Sequence, residues 1–406
     1  MTDQLFAAIE SGNLTLLKDT ITQQPALVNT VFDEQEATPF ELALKYGFSS
    51  LAEVLIEVDG FDINHSGHNP LRLAIDLGFL NIAKSLLNKG ANPNYRPKQL
   101  SSALLLCLDN EYFELAELMV EKGAEVNIRN DKGWTPLIWA SMKGRIKAVE
   151  FLLKHGAAVD VCNNDGWNAV TGAYFKQRLE VVDKLLAHGA VFSAKYSEAA
   201  MLSAYQNGHI SIAKKLLADG VNPDVENEDK ETMLIIAITK GDDDMIRALV
   251  AAGANPNARD MNSRPAILLL AKNGKDELVS LFIDNGADVN LSTTEGVSAI
   301  HAATLYNHKT TIELLLESGA NINALAGESK TTPLMISAQN GYLEVASLLV
   351  DNDANIALRT KDTNRSAKSF AMEAAPKVGF DKEVIDSAHK DIISLLTLSG
   401  HFIDVE

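Results

Sequence analysis

The groups in this 406-residue sequence that could ligate a metal, attack a substrate or relay a proton are its 9 histidines, 2 cysteines and 54 acids. Metal binding needs three or four such side chains to converge. His65 and His68 are the one close histidine pair, and a pair without further ligands is not a site, so no metal is expected. His155 and His188 each stand just before a glycine, where a cation complements the C-terminus of a helix and needs no chemical role. No serine or cysteine has a histidine set beside it by a motif, and the glycines recur at long regular intervals, not in a phosphate-binding cluster. The expectation is a protein with no catalytic residue and no cofactor.

The residues suited to recognition are more telling. All three tryptophans, Trp134, Trp139 and Trp167, fall in one stretch, with Met142, Lys143, Phe175 and Lys176 close by. An indole buries a large area for little loss of rotamer freedom, as an interface anchor must. A second group is acidic: from Asp219 to Asp244 nine acids stand against two lysines. Asp242, Asp243 and Asp244 open a helix, where the dipole favours negative charge. Glu226, Glu228, Asp229 and Glu231 have no such local reason and suit a basic partner surface. Leu305 and Tyr306 make a smaller third group.

A short module positions these residues, and it is clearest from Thr135 to Ala157. Thr135 can cap a helix through its hydroxyl, and Pro136 suits the first helical position, where its missing N–H costs nothing. Leu137, Ala140 and Ser141 follow at i, i+3 and i+4 as a narrow stripe that admits a close neighbour. Gly144 ends this helix. A second helix is expected to turn Ile146, Val149, Leu152 and Leu153 inward and to close at Gly156 in the left-handed region. Helices of about two turns are marginal alone in water, so the module must be stacked on others. The closing glycine recurs at Gly90, Gly123, Gly156, Gly189, Gly220, Gly253, Gly286 and Gly319; six of these seven steps are 33 residues and one is 31.

A 33-residue period of one turn and two helices, with a Thr-Pro-Leu-His type of start, resembles the ankyrin repeat. The residues that carry the likeness are Thr38-Pro39-Phe40, Asn69-Pro70-Leu71, Thr135-Pro136-Leu137, Ser298-Ala299-Ile300-His301 and Thr332-Pro333-Leu334. The resemblance implies an all-α solenoid of paired antiparallel helices with β-turn fingers, covering nearly the whole chain. It also implies that fingers and first helices form a concave contact wall. The wall positions are the finger tip, the residue after the turn glycine, the fifth residue of the helix start and the two residues before the break. Trp134 and Trp167 follow the turn glycines Gly133 and Gly166, and Trp139 takes the fifth position. Met142, Lys143, Phe175, Lys176, Leu305 and Tyr306 also fall on the wall, whereas Tyr205 falls where packing is expected. The competing reading of the indoles is that they brace neighbouring fingers.

About twelve units can be counted as a single array. Residues 1–30 form an N-terminal capping unit, 31–357 ten internal units, and 358–406 an irregular C-terminal unit with an insert at 373–389. In that last unit Ser366 to Met372 reads as the first helix and Asp391 to Gly400 as the second, with Lys382 to Ala388 an extra turn. Shortened steps predict short fingers near His65 and Lys195. Glu111, Gln177 and Asn307 replace the break glycine in three units, which leaves the bend there open.

Composition agrees with stacked short helices: 46% of residues are hydrophobic but only 6% aromatic. The net charge of −18 argues against a general nucleic-acid or anionic-membrane binder, since phosphate neutralisation needs an excess of Lys and Arg. Cys107 and Cys162 lie in different units and make no disulfide framework, which suits a reducing cytoplasm. No leader pattern or membrane-length apolar run is seen. The function expected is non-enzymatic: a monomeric scaffold holding a protein partner, with a basic surface where it meets the acidic finger. A translocated effector or a toxin-neutralising immunity protein would use the same face. A small-ligand receptor or enzyme would instead need convergent polar groups in one deep pocket.

Overall fold

In the structure, a computed structural model, all residues are described except 1, 33–35, 66, 68, 96–101, 375–381 and 404–406, and the side chains of 382–386 and 400–403. The chain divides into two compact units, Met1–Ala200 and Met201–Glu406.

The first unit contains helix pairs α1 (Thr2–Glu10) and α2 (Leu14–Gln23), α3 (Pro39–Lys45) and α4 (Ser49–Ile56), α5 (Pro70–Asp76) and α6 (Leu80–Asn88). It continues with α7 (Ala103–Asp109) and α8 (Phe113–Glu121), α9 (Pro136–Lys143) and α10 (Ile146–Lys154), α11 (Ala169–Phe175) and α12 (Leu179–Ala187). First helices pack on first helices, as α3 does on α1 and α5 and as α9 does on α11. Second helices pack on second helices, as α4 does on α2 and α6 and as α10 does on α12. Helix α13 (Ser197–Gln206) carries the division between the units.

The second unit runs through α14 (Ile210–Ala218), α15 (Met233–Lys240), α16 (Asp243–Ala251), α17 (Ala266–Lys272), α18 (Asp276–Asp284) and α19 (Ala299–Leu305). It ends with α20 (Lys309–Glu317), α21 (Pro333–Asn340), α22 (Leu343–Asp351), α23 (Ala367–Ala374) and α24 (Lys382–Ile403). The same stacking holds: α15, α17, α19, α21 and α23 form one layer, and α14, α16, α18, α20, α22 and α24 the other.

The first helices start where capping side chains stand. Thr38, Asn69, Ser102, Thr135, Asn168, Thr232 and Thr332 each accept a backbone N–H of their own first turn. Leu137, Ala140 and Ser141 are buried as the stripe requires. In α10 the expectation needs correcting, because Ala148, Val149, Phe151 and Leu152 are buried while Ile146 and Leu153 are only half-buried. Phe151 meets Phe113 of the preceding pair at 6.2 Å, so the stripe is turned toward the stacked neighbour.

The bend after each first helix needs a left-handed residue. Gly144 adopts it at φ 73°. Glu111, Gln177 and Asn307 adopt it too, at φ 60°, 57° and 61°, so the bend survives without glycine at a backbone cost of about 1–2 kcal/mol each. Packing of the two helices imposes the turn and the residue conforms.

Successive modules are also joined by a ladder of side-chain amides. Asn127 donates to Gly156 O (3.2 Å) and accepts from Ala158 N (2.8 Å). Asn94, Asn257 and Asn290 make the same pair of bonds one module on. Asn94 and Asn127, like Asn257 and Asn290, are 33 residues apart, and the structure gives that period a mechanical reason.

The last pair differs from its sequence reading. Lys382 to Ala388 are not a separate turn but the beginning of α24, a single helix of 22 residues. It packs on α22 and α23 and buries His389, Ile392 and Leu396, with His389 lying over the left-handed Gly341. The rest of the predicted insert, 375–381, lies outside the described residues. No helix among the described residues is long and apolar enough to cross a membrane.

Candidate functional site

Loop chemistry sets the tryptophans in place. Asn130 Oδ1 accepts the backbone N–H groups of Lys132 (3.0 Å) and Trp134 (2.9 Å). Asn163 Oδ1 does the same for Asp165 (3.0 Å) and Trp167 (2.8 Å), so each finger closes as an Asx turn. The two fingers are tied together as well. Arg129 donates to the Cys162 carbonyl at 2.7 Å, Asn164 N donates to Lys132 O at 3.0 Å, and Asn164 Nδ2 donates to Asp131 O at 3.1 Å. Gly133 is required between them: its φ is 78°, and a Cβ there would meet Asn164 Oδ1 at 2.6 Å.

Over α9 lies an open cleft of about 950 Å³. It is lined by Leu105 of α7 and by Trp139, Met142 and Lys143 of α9. The finger residues Arg129, Asp131, Lys132 and Trp134 also line it, as do Lys176 and Arg178, which follow α11. Five residues singled out in the sequence are therefore brought together: Trp134, Trp139, Met142, Lys143 and Lys176. Lys143 Nζ sits 5.7 Å from the Trp139 ring centroid, a cation–π distance. Met142 is seated by α11, where a Cβ on Gly172 would come within 2.6 Å of its Cγ.

Trp167 and Phe175 do not line this cleft. Trp167 stacks on Tyr196 with centroids 4.6 Å apart and an interplanar angle of 29°, and it meets Phe175 edge-on at 5.4 Å. Phe175 also contacts Tyr174, whose own ring meets Phe192. The short finger anticipated near Lys195 explains this arrangement. Ser193 to Tyr196 make only a single turn before α13, and Lys195 Nζ and Tyr196 Oη both donate to Asp165 O, at 2.8 and 3.1 Å. Trp167 thus stacks on the ring that this short finger presents. The indoles divide: two line the cleft and one stacks on Tyr196.

In the second unit, two of the four finger acids are locally satisfied. Glu226 lies 3.6 Å from Lys230 Nζ, and Glu231 Oε2 accepts from Asn227 Nδ2 at 3.5 Å, while Glu228 and Asp229 are exposed. Asp242 caps α16 by accepting from Met245 N at 3.0 Å, and Asp243 pairs with Lys275 at 2.8 Å. Leu305 and Tyr306 remain 49% and 47% exposed, with Lys272 Nζ 5.5 Å from the Tyr306 ring. Tyr205 is buried and donates to Asp242 Oδ2 at 3.2 Å.

Two titratable groups, His301 and Cys107, are buried in the packed helices. His301 accepts from Ser298 N through Nδ1 at 3.2 Å, and its Nε2 lies 3.0 Å from Ala324 O, which fits the neutral Nε2–H tautomer. Burial holds its pKa below the usual histidine value, against backbone hydrogen bonds that pull it up. Burial pushes the Cys107 thiol up to about 12. His68 lies outside the described residues, and among those described no three His, Cys, Asp or Glu converge as metal ligands.

Sequence reasoning missed Arg129, Lys132, Arg178 and Leu105. Arg129 and Lys132 were detectable, being finger-tip positions of the same module as Trp134. Arg178 was not: it precedes a second helix, and it reaches the cleft because it lies along Gly144 of the previous module, Cδ 2.9 Å from where a Cβ would stand.

Among curated proteins none matches the chain. The family model described as "Ankyrin repeats (3 copies)" matches residues 5–97, 104–196, 193–260 and 267–360. Ankyrin repeats are generally protein–protein interaction modules. With that match extending over most of the helix pairs described above, the chain belongs to the ankyrin-repeat family.

Proposed function

We propose that this protein is a non-enzymatic scaffold that holds a protein partner in the cleft over α9. The observation that carries the reading is the convergence of Trp134, Trp139 and Met142 on one open cleft of about 950 Å³. Half-buried apolar side chains in a concavity rimmed by charge are the usual anatomy of a hot spot. A monomer meeting its partner in the cytoplasm suits the two free thiols. In the second unit the exposed Glu228 and Asp229 offer a separate contact for a basic protein surface.

The test is affinity capture with mass spectrometry, using wild type, Trp134→Ala/Trp139→Ala and a back-face control, Lys147→Ala. The expected result is a prey retained by wild type and control and lost by the cleft variant, with unchanged circular dichroism. Equal recovery on all three baits overturns the assignment of the face.

A further inference from the structure

The cleft has a charge opposite to that of the chain. Arg129, Lys132, Lys143, Lys176 and Arg178 line it against the single carboxylate of Asp131, in a protein whose net charge is −18. Elsewhere in the same unit cations are matched by acids from the neighbouring module: Lys89 with Glu57 at 2.8 Å, Arg145 with Asp109 at 3.1 Å, Lys147 with Glu111 at 3.2 Å and Lys184 with Glu150 at 2.6 Å. Among the described residues none of the five cleft cations has a carboxylate within 4.0 Å. Two of them are fixed in place by other means: Arg129 by its bond to Cys162 O, and Lys143 against the Trp139 ring. Cations that are held, exposed and uncompensated form a preorganised anion-recognising rim.

We infer that the cleft takes an acidic segment of a partner protein, with carboxylates toward the cationic rim and one aliphatic or aromatic side chain against Trp139. The inference rests on the docking reading above and gives it a ligand chemistry. A nucleic-acid strand fits less well. Its continuous phosphate backbone would meet the field of a strongly acidic chain, whereas a few carboxylates on a short segment match the local excess alone.

The experiment is panning of a phage-displayed library of random peptides, roughly a dozen residues long, on the full chain. Enriched peptides are then measured by fluorescence anisotropy. Acidic peptides carrying an apolar residue are expected, with affinity that falls about tenfold or more in Lys143→Glu/Lys176→Glu and weakens as salt is raised. Should that variant fail to fold by circular dichroism, Lys132→Gln/Lys176→Gln gives the same comparison by neutralisation. Enrichment of neutral or basic peptides that are lost in Trp139→Ala leaves the docking reading standing and overturns the inference. No enrichment of any charge class, from a chain shown to be folded, overturns both. Tighter binding of a fluorescein-labelled oligothymidylate than of any peptide, or self-association abolished by the same substitutions, overturns it in favour of nucleic acid or of a second copy.

Discussion

Replacing Trp167 by alanine removes a ring that stacks on Tyr196 at 4.6 Å and meets Phe175 edge-on at 5.4 Å. Each aromatic pair is worth about 0.5–1.5 kcal/mol beyond area burial. Full burial of a tryptophan makes truncation cost about 3–5 kcal/mol, and a half-buried ring forfeits roughly half of that. The two routes overlap, and they converge on a loss of about 1.5–2.5 kcal/mol for Trp167→Ala. A double-mutant cycle isolates the stack: Trp167 with Tyr196 should couple by about 0.5–1.5 kcal/mol, and Trp139 with Tyr196 by about zero. Stability in a stacked array is a sum of local terms, so a global melt is a blunt readout. Hydrogen exchange by mass spectrometry over 163–200 reads the loss where it occurs. If Trp167→Ala leaves exchange in that segment unchanged, or the cycle closes to zero, the indole is not a brace and belongs with Trp134 and Trp139 as a free contact residue.

Three further outcomes test the frame that holds the cleft. Asn127→Ala removes the bonds to Gly156 O and Ala158 N, so urea unfolding should show a loss of about 1–2 kcal/mol, with faster exchange confined to the modules on either side. Acid should weaken the second unit through His301. Its folded pKa lies below the unfolded value of 6.5, so the unfolded chain binds the proton first; the contribution is whole above 6.5 and declines as pH falls below it. His301→Gln should therefore flatten the pH dependence of denaturation on the acid side of neutrality. In the native chain a thiol reagent should label Cys162 alone, because Cys107 is buried with its pKa pushed up to about 12; equal labelling of both counts against the packing of α7 on α8.

Local chemistry made the modules legible. Thr135, Pro136 and Gly144 announce a short helix by the backbone groups they supply or withhold, and their structural roles are local to within a turn. The resemblance to ankyrin repeats placed Trp134 and Trp139 on one wall, since both stand at positions that the motif leaves free. It could not separate Trp167 from them. That distinction depends on Tyr196, whose position is set by a finger two residues short, and a deletion reports the missing length without reporting what fills it. The helicity of Lys382 to Ala388 was legible, but not its continuation into α24 as one helix. The seat of His389 over Gly341 is a contact between residues nearly 50 apart.

The positions before the second helices show why charge in this fold cannot be read from net composition. Arg145 and Arg178 occupy equivalent places, each immediately before a second helix. Before Arg145 the preceding module offers Asp109, at the end of α7, and the pair closes at 3.1 Å. Before Arg178 the corresponding stretch ends Met142-Lys143-Gly144, with no acid to meet it, so the guanidinium lies along Gly144 and joins Lys143 and Lys176 at the cleft. One residue type at one register position is thus neutralised in one module and left as part of a recognition rim in the next. The difference is set by what stands one repeat earlier. Introducing the missing acid tests this directly. Met142→Asp places a carboxylate at the register of Asp109, and Lys143→Asp places one at the register of Asn110. Only Met142→Asp should draw Arg178 into a pair like that of Arg145, and the cleft's affinity for acidic peptides should fall by more than loss of the methionine alone in Met142→Asn. Equal losses in Met142→Asp and Met142→Asn would show that Arg178 does not take part in the rim.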